Sequence, residues 1–278
     1  MAAIDALEIV RLEAFDASGG LALSTEAGWN QNEADWQFVL KNAVAFGVRA
    51  EHGLIATAAL LPHDAREAWI GMVLVSAPWR RRGLATRLLA QCLAAAADNG
   101  LTASLDATPA GAAVYRRIGF QPTLELVRLR FQGPPARGRA APPVPGVPAH
   151  ELSALIARDR DAIGCDRSGL LLALGRRAGS RLVAAGDDVA LVRDGRTARH
   201  VGPLFAGDAG RAEALLRGIA AAEGGALLID AVALHRDFVA GLIAAGWSVE
   251  RPFQRMRFGA GGTAPAAPPF AIAGPEYG

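Results

Sequence analysis

Two kinds of hydrophobic pattern alternate along the first half of the chain. Short apolar runs bounded by turn residues predict strands, whereas apolar residues recurring every three or four positions predict helices. On this basis strands are predicted at 7–13, 45–51, 54–61, 68–75, 101–107 and 120–131, the last as one strand or two. Two short helices are predicted within 18–44, a long one from Leu84 to Asn99, and another at 110–118. This element order predicts a mixed α/β domain.

The order of predicted elements repeats in outline in the second half. Helices are predicted at 150–163 and 167–178, before strands at 181–185, 188–193 and 197–206. A helix at 209–223, a strand at 226–232, a helix at 235–245 and a strand at 247–258 follow. The second half is therefore predicted to be a diverged copy of the first, and 278 residues suffice for two separate cores.

A proline-rich stretch separates the two halves. Gly133 to Pro148 contains six prolines, a composition that favours an extended, semi-rigid connector over a packed core. We therefore predict four parts: an N-terminal domain at 1–132, a linker at 133–149, a second domain at 150–260 and a Gly/Pro/Ala-rich tail at 261–278.

Charge and cysteine usage argue against several classes of protein. The formal net charge is only +2 and Lys41 is the single lysine, so the many arginines indicate a coding bias rather than a nucleic-acid surface. Cys92 and Cys165 have neither metal-ligand nor redox spacing, so no metal site and no disulfide are predicted. A reducing compartment fits this cysteine usage.

Signals of a membrane or secreted protein are also missing from the sequence. No run approaches the ~20 apolar residues of a membrane span. Asp5 and Glu8 stand where a secretory signal needs a basic start and an apolar stretch. We therefore expect a soluble, cytoplasmic protein whose partners include no nucleic acid, no membrane and no metal ion.

The most informative stretch runs from Val73 to Thr86. It ends an apolar strand, turns through a basic loop and enters the long helix. Amides in the first turn of a helix lack intrahelical acceptors and carry the positive end of the helix dipole, so they stabilise a bound anion. Gly83 and Ala85 let phosphate oxygens approach the main chain, and Gly83 tolerates backbone conformations that larger residues resist. The stretch predicts a diphosphate-binding site.

Two motifs in this half resemble those of the GCN5-related N-acetyltransferases (GNATs). The spacing Arg80-x-x-Gly83-x-Ala85 resembles the acetyl-CoA pyrophosphate loop of that family. Further along, Ala112–Phe120 resembles its second signature, a helix that carries a tyrosine and closes on Gly-Phe. The resemblance implies an α/β (α+β) fold with two tandem GNAT-like domains, each a mixed, mostly antiparallel twisted sheet flanked by helices.

The resemblance also implies how acetyl-CoA, the acyl donor, is held. Main-chain groups of Val73, Leu74 and Val75 would pair with the pantetheine arm like an added strand, and the Val75 N–H would polarise the thioester carbonyl. The residues implied to cradle the pyrophosphate are Arg80, Arg81, Arg82, Gly83, Leu84, Ala85 and Thr86. The implied reaction is direct attack on the thioester by a primary amine of a small-molecule or amino-acid-like acceptor.

Tyr115 is the candidate general acid. A phenol with an ordinary pKa near ~10 stays protonated at neutral pH and can protonate a departing thiolate. The alternative is an ordinary half-buried aromatic residue on an amphipathic helix. Many relatives have an asparagine six residues before the tyrosine, where this chain has Pro109.

No general base is identified in the sequence. Many relatives place a glutamate on the strand before the loop, at the position of Trp69 in this chain. His52, His63, Asp64 and Glu67 lie near this strand in sequence, but such residues at strand ends are more often solvated surface groups. Deprotonation of the amine through water therefore stays open.

The resemblance implies that the helical segment containing Trp29, Asn30 and Trp36 covers the acceptor site. Aromatic and amide side chains suit a ligand with an apolar body and polar handles, so Trp29 and Asn30 are candidate substrate-binding residues. Both tryptophans could equally pack into the core as helix-face anchors. The oligomeric state is not predicted. A tandem chain can supply internally the packing that single-domain relatives gain by dimerising, so the sequence is compatible with a monomer.

The second half keeps the outline of the first but loses its chemistry. Leu242 replaces Tyr115, and Gly207-Asp208 replaces the arginines of the loop with a carboxylate that would repel a phosphate. This half resembles the carboxy-terminal domain of bacterial tandem acetyltransferases, through Gly164–Arg167, Phe253–Met256 and the end of the tail, Ala273–Gly278. We predict that it is not catalytic, and no role for the tail follows from sequence.

The main alternative to an enzyme is a non-catalytic acyl-CoA-binding sensor or interaction protein. Such a protein would keep the cofactor loop and lose turnover. The missing base and the diverged second half favour this alternative, whereas Tyr115, as candidate general acid, favours the enzyme.

Overall fold

The computed structural model describes residues 7–51, 53–133, 147–259 and 267–278. Within these ranges the helices are α1 (Ala17–Glu26), α2 (Glu33–Asn42), α3 (Leu84–Asp98), α4 (Pro109–Ile118), α5 (Ser153–Ile163), α6 (Ser168–Gly175), α7 (Ala209–Glu223) and α8 (Arg236–Ala244). The strands are β1 (Ile9–Arg11), β2 (Val44–Ala50), β3 (Gly53–Pro62), β4 (Glu67–Val75), β5 (Thr102–Ala107), β6 (Phe120–Phe131), β7 (Arg181–Ala185), β8 (Asp188–Arg193), β9 (Arg199–Phe205), β10 (Leu227–Val232) and β11 (Ser248–Phe258).

The predicted elements are confirmed, with differences at their ends. The first strand is shorter than predicted, and residues 120–131 form one continuous strand rather than two. Residues 134–146 of the predicted linker and 261–266 of the predicted tail lie outside the described residues.

Close contacts divide the chain into two compact units. Among the described residues, unit 1 comprises those up to Leu105 together with Tyr277, and unit 2 comprises those from Asp106 to Glu276 together with Gly278. The division falls inside β5 because β6 pairs with β10 on one side and with β11 on the other. The predicted domain boundaries follow the sequence repeat and stay a prediction, whereas the compact units follow strand pairing.

Unit 1 is built on strands in the order β1-β2-β3-β4-β5, antiparallel except for β4 and β5. The parallel pairing joins only Glu67–Trp69 to Thr102–Ser104. Beyond Trp69, β4 runs on to Val75 without β5 as a partner, so the edge of Ile70–Val75 that faces away from β3 borders a gap between the strands. We call this gap the first wedge. Helix α3, which buries Leu84, Leu88 and Leu89, begins just after it.

Unit 2 is built on strands in the order β11-β6-β10-β9-β8-β7, antiparallel except for β9 and β10. The parallel pairing again stops early, with Arg199–Val201 against Leu227–Ile229. The gap bordered by Gly202–Phe205 and Asp230–Val232 is the second wedge. The core of unit 2 contains buried side chains from β9, β10, α7 and α8, among them Leu204, Leu216, Ile229 and Phe238.

Among the described helices, none combines the length and apolar character needed to cross a membrane.

Candidate functional site

The loop between β4 and α3 ends on a glycine that the backbone requires. Gly83 is the N-cap of α3 and has a left-handed conformation, with φ of +82°, which side chains resist. No side chain caps this helix end, and the first-turn amides of Leu84, Ala85 and Thr86 have no intrahelical acceptor. A Cβ built on Gly83 would meet nothing within 4 Å. The helix therefore presents amides and the positive end of its dipole to an approaching anion.

Three consecutive arginines, Arg80, Arg81 and Arg82, directly precede this helix end in the chain. Arg80 and Arg81 are exposed, whereas Arg82 is half-buried with its guanidinium 5.3 Å from the centroid of the Trp79 ring. The Arg80 Nε donates to the Val75 carbonyl oxygen at 3.0 Å, which turns that side chain back over the end of β4. The predicted loop residues thus lie together in unit 1 in an arrangement suited to a phosphate-bearing ligand.

A β-bulge bends β4 where the first wedge opens. The β3–β4 register slips between Thr57 opposite Leu74 and Ala59 opposite Gly71, and Met72 adopts a positive φ of 53°. The Thr57 hydroxyl donates to the Met72 carbonyl oxygen at 2.7 Å in a buried position. This bond fixes the bulge, and with it the direction in which the end of β4 departs.

The backbone of Val75 is directed into the first wedge. The Ser76 amide donates to the Ile55 carbonyl of β3 at 2.8 Å. Successive amides of a strand point to opposite edges, so the Val75 N–H points away from β3. The Val75 carbonyl has the same direction, because it accepts from Arg80 in the loop. This edge therefore offers a donor and an acceptor to an extended ligand.

The structure adds a carboxylate that sequence reasoning missed. Glu26, at the end of α1, accepts a hydrogen bond from the Ala77 amide at 2.6 Å, in the loop that follows Val75. The contact spans 51 positions in sequence. No local pattern marks Glu26, so only the three-dimensional arrangement could reveal it.

The two tryptophans predicted near the acceptor site differ in environment. Trp36 is 1% exposed, donates from its indole to the Ser24 hydroxyl at 2.9 Å and lies so close to Gly20 that a Cβ there would come within 2.4 Å of its ring. Trp36 is therefore a core anchor. Trp29 is half-buried and Asn30 is buried, both in the connection between α1 and α2. Their role in substrate binding stays a prediction.

The described base candidates lie at the far end of β4 from the loop. The Asp64 carboxylate accepts from the amides of Arg66 and Glu67 at 2.8 and 2.9 Å, so it stabilises the turn that leads into β4. His63 belongs to the same turn. The distance along β4 from Glu67 to Val75 is about 26 Å at ~3.3 Å per residue. The Asp64 side chain and the backbone of His63 and Glu67 form this turn, and His52 lies outside the described residues.

Tyr115 lies on α4 in unit 2 and is half-buried. Its ring centroid is 6.0 Å from that of Phe120, which packs 5.3 Å from Phe258. Burial raises the pKa of Tyr115 to about 12, so the phenol keeps its proton throughout the neutral range. Pro109 is the first residue of α4, where a helix needs no amide, and Thr108 caps the helix. The departure from the family pattern at Pro109 thus suits a helix start.

The corresponding helix end in the second half is satisfied by the protein itself. Asp208 caps α7 by accepting from the Arg211 amide at 2.9 Å. Asp188 accepts from the Gly207 amide at 3.0 Å and from the Arg211 Nε at 2.8 Å. Leu242, which replaces the tyrosine, is 3% exposed and part of the core. Carboxylates of the chain thus already bind the Gly207 and Arg211 amides at this helix end, and the non-catalytic role of the second half stays a prediction.

Family comparisons match both halves of the chain. The acetyltransferase (GNAT) family matches residues 11–120, and an acetyltransferase (GNAT) domain matches residues 155–266. No curated protein matches the chain.

Solved structures share its architecture. A candidate acetyltransferase from Pyrococcus horikoshii is 20% identical with a TM-score of 0.80, over 100% of this chain and 98% of that chain. A tandem GNAT protein from the clavulanic acid biosynthesis pathway is 17% identical with a TM-score of 0.60, over 92% and 99%. A GCN5-related N-acetyltransferase from Sphaerobacter thermophilus is 18% identical with a TM-score of 0.59, over 92% and 96%. Likeness at these identities establishes the fold.

Proposed function

Because this chain belongs to the GNAT acetyltransferase family and carries two GNAT domains in tandem, we propose that it transfers an acetyl group from acetyl-CoA to a primary amine. Family membership supports acyl transfer. The acetyl donor and a small-molecule or amino-acid-like acceptor are what the proposal adds. The observation that carries it is the uncapped N-terminus of α3 beside Arg80, Arg81 and Arg82.

The residues of the first wedge and its loop fit an acyl-CoA. The first-turn amides from Leu84 to Thr86, with the three arginines, suit the charge of a diphosphate. The donor and acceptor of Val75 suit an arm that contains amide groups, which would pair like an added strand. When bound, acetyl-CoA supplies an activated acyl carbonyl.

The chemistry we assign to the chain is electrostatic and acid catalysis. The Val75 N–H is proposed to donate to the carbonyl oxygen as negative charge develops on it. Tyr115 is proposed to hold a proton on its Oη and to deliver it to the departing thiolate. A pKa of about 12 keeps that proton in place but reduces the driving force for its transfer. A hydrogen bond that strengthens as charge grows on the sulfur is therefore part of its role.

Loss of the amine proton is assigned to solvent. Trp69, which takes the place of the glutamate found in many relatives, cannot accept a proton, and Asp64 and Glu67 support a turn at the other end of β4. A reaction that depends on the free amine should accelerate with pH up to the pKa of that amine. We propose Trp29 and Asn30 as residues that shape the acceptor site.

The test is release of free thiol from acetyl-CoA in the presence of a panel of primary amines. The panel includes amino acids, polyamines and amino sugars, with N-acetylation of the acceptor confirmed by mass spectrometry. We expect turnover with at least one small amine and loss of turnover in Tyr115→Phe. Turnover that is unchanged in this variant would contradict the role of the phenol.

A non-catalytic acyl-CoA sensor is the second candidate, and the position of the described base candidates favours it. The two functions differ in outcome. A sensor binds acetyl-CoA tightly and releases no thiol with any amine, whereas Gly83→Glu abolishes binding in both cases.

A further inference from the structure

The predicted tail contains a buried segment, Pro268–Glu276, of which Phe270, Ala271 and Ile272 lie inside the second wedge. Phe270, Ala271, Ile272 and Ala273 are at most 7% exposed. A glycine-, proline- and alanine-rich sequence on a surface would be solvated. This burial instead requires specific partners for the backbone of the segment, which β9 and β10 supply.

The segment forms a short strand between the two separating strands. Ala271 forms antiparallel bridges with Leu204 of β9 and with Ala231 of β10. On the β9 side, the Phe270 amide donates to the Leu204 carbonyl at 2.8 Å, and the Leu204 amide donates to the Ala271 carbonyl at 3.0 Å. On the β10 side, the Ile272 amide donates to the Asp230 carbonyl and the Val232 amide donates to the Phe270 carbonyl, both at 3.0 Å. Both edges of the second wedge are thus used.

Side chains fix the segment at both of its ends. The Phe270 ring stacks on His235 at 4.0 Å and meets the edge of Phe238 at 5.2 Å. The Arg193 guanidinium donates to the Ala273 carbonyl at 2.9 Å and to the Glu276 carboxylate at 2.7 Å, with both charged groups buried. A buried ion pair is costly to break because each charge is left without a partner.

The wall of the wedge is shaped for a close backbone approach. A Cβ built on Gly202 would lie 2.0 Å from the Ile272 carbonyl oxygen. No side chain fits there while the segment is in place. Gly202 in β9 is therefore a sequence feature explained by this segment.

We propose that residues 268–276 are a built-in strand that permanently occupies the second wedge, so that each chain has one acyl-CoA site, in the first wedge. This inference rests on the proposed function for the first wedge. In the second wedge, the amide and carbonyl of Leu204 already pair with protein. In the first wedge, no described segment pairs with Val75 on the edge facing away from β3. The gap between the parallel strands thus holds a segment of the chain itself in unit 2, whereas in unit 1 it is proposed to bind acyl-CoA.

Hydrogen–deuterium exchange on the full chain, without ligand, tests the occupied wedge directly. We expect the Leu204, Val232, Phe270 and Ile272 amides to exchange at least about a thousandfold more slowly than in an unstructured peptide. Saturating acetyl-CoA should leave these rates unchanged. Fast exchange at Phe270 and Ile272, or acceleration by acetyl-CoA, would overturn the proposal. Because the first measurement contains no acetyl-CoA, it stands even if the proposed function fails.

A pair of glycine variants sharpens this test. Gly202→Ala should accelerate exchange at Phe270 and Ile272 at least about tenfold, because its methyl group displaces the segment. Gly218→Ala is the matched control, since a Cβ at this position on α7 meets nothing within 4 Å. Equal exchange at Phe270 in both variants would overturn the proposed contact. If Gly202→Ala fails to fold, the exchange rates of the unmodified chain decide.

Discussion

The N-termini of α3 and α7 hold corresponding positions in the two repeats, and their surroundings are opposite. At α3 the N-cap is Gly83, without a capping side chain, and of the preceding arginines Arg80 and Arg81 are exposed. At α7 the N-cap is Asp208, whose carboxylate binds an amide of the first turn, and Asp188 neutralises Arg211. A helix end can bind an external anion or bind its own carboxylate. Which of these occurs depends on a few side chains and leaves the fold unchanged.

The wedges beside these helices differ in the same sense. In the first wedge, the edge of Val75 that faces away from β3 has no described partner except the Arg80 side chain. In the second wedge, the edge of Leu204 that faces the gap pairs with Ala271. Tyr115 in the first repeat corresponds to Leu242, a core residue, in the second. The second repeat thus satisfies internally each group that the first repeat offers to a ligand.

The largest effect is expected for acetyl-CoA binding when a carboxylate is placed at the N-terminus of α3, as it is at α7. Gly83→Glu should weaken acetyl-CoA binding about a thousandfold, since a carboxylate roughly 4 Å from a phosphate costs ~4 kcal/mol at an effective dielectric constant of about 20. Gly207→Glu is the matched control, because its Cβ meets only the flexible end of Arg211. It should leave the calorimetric Kd within about twofold. Equal losses in both variants would refute the assignment to α3.

The second prediction concerns Tyr115, and the only other tyrosine supplies its control. Tyr115→Phe should lower kcat about a hundredfold and leave the Kd for acetyl-CoA unchanged, because only an interaction made late in the reaction is lost. Tyr277 donates to the buried Asp35 carboxylate at 2.8 Å. Tyr277→Phe should therefore cost about 1–3 kcal/mol of stability and keep kcat. A loss of kcat in Tyr277→Phe, with kcat retained in Tyr115→Phe, would contradict the role assigned to Tyr115.

The third prediction uses pH to probe His200, which lies in β9 two residues before the second wedge. Burial, together with Arg193, lowers the pKa of His200 below its ordinary value of 6.5, although Asp230 opposes the shift. Below pH 6.5 the unfolded chain therefore takes up a proton that the folded chain refuses. The free energy of unfolding should fall as pH drops from 6.5, by at most ~1.4 kcal/mol per pH unit from this group.

Urea unfolding at pH 7.5 and pH 5.5 measures this effect. His200→Gln should reduce the difference in stability between the two pH values, whereas His150→Gln, at an exposed position, should not. An identical pH dependence in the unmodified chain and in His200→Gln would show that this histidine is not the cause.

The smallest expected effect concerns the cap of α7. Asp208→Ala removes the side chain that binds the Arg211 amide and should cost about 1 kcal/mol, measured as a fall in the thermal midpoint. It should leave acetyl-CoA affinity unchanged. A gain of a second acetyl-CoA site in this variant would show that the cap alone, and not the filled wedge, closes the second repeat.

Local signals in the sequence were sufficient to predict most of the elements. Leu84, Leu88 and Leu89 follow the helical period of α3, and Gly83 stands where a left-handed residue is needed. The position of the loop and its left-handed glycine could be predicted because they depend on neighbouring residues, whereas binding of a diphosphate there stays a prediction. The repeat of elements was equally visible, since each half carries its own strand and helix patterns.

Long-range contacts could not be predicted in this way. The strand patterns of Phe120–Phe131 and Ser248–Phe258 do not show that they pair with each other. The Asp230 carboxylate in β10 binds Arg128 of β6 at 2.7 Å, a pairing that depends on the arrangement of the strands. The small residues of the tail carry no period, although Ala271 is fully buried. Their partners, Leu204 and Ala231, are more than one element away in sequence.

The most direct test of the central claim is the stoichiometry of acetyl-CoA binding to the unmodified chain, measured by calorimetric titration. We expect one site per chain, lost in Gly83→Glu and retained in Gly207→Glu. Two sites per chain would contradict the filled second wedge, and no binding would contradict the proposed donor site at α3.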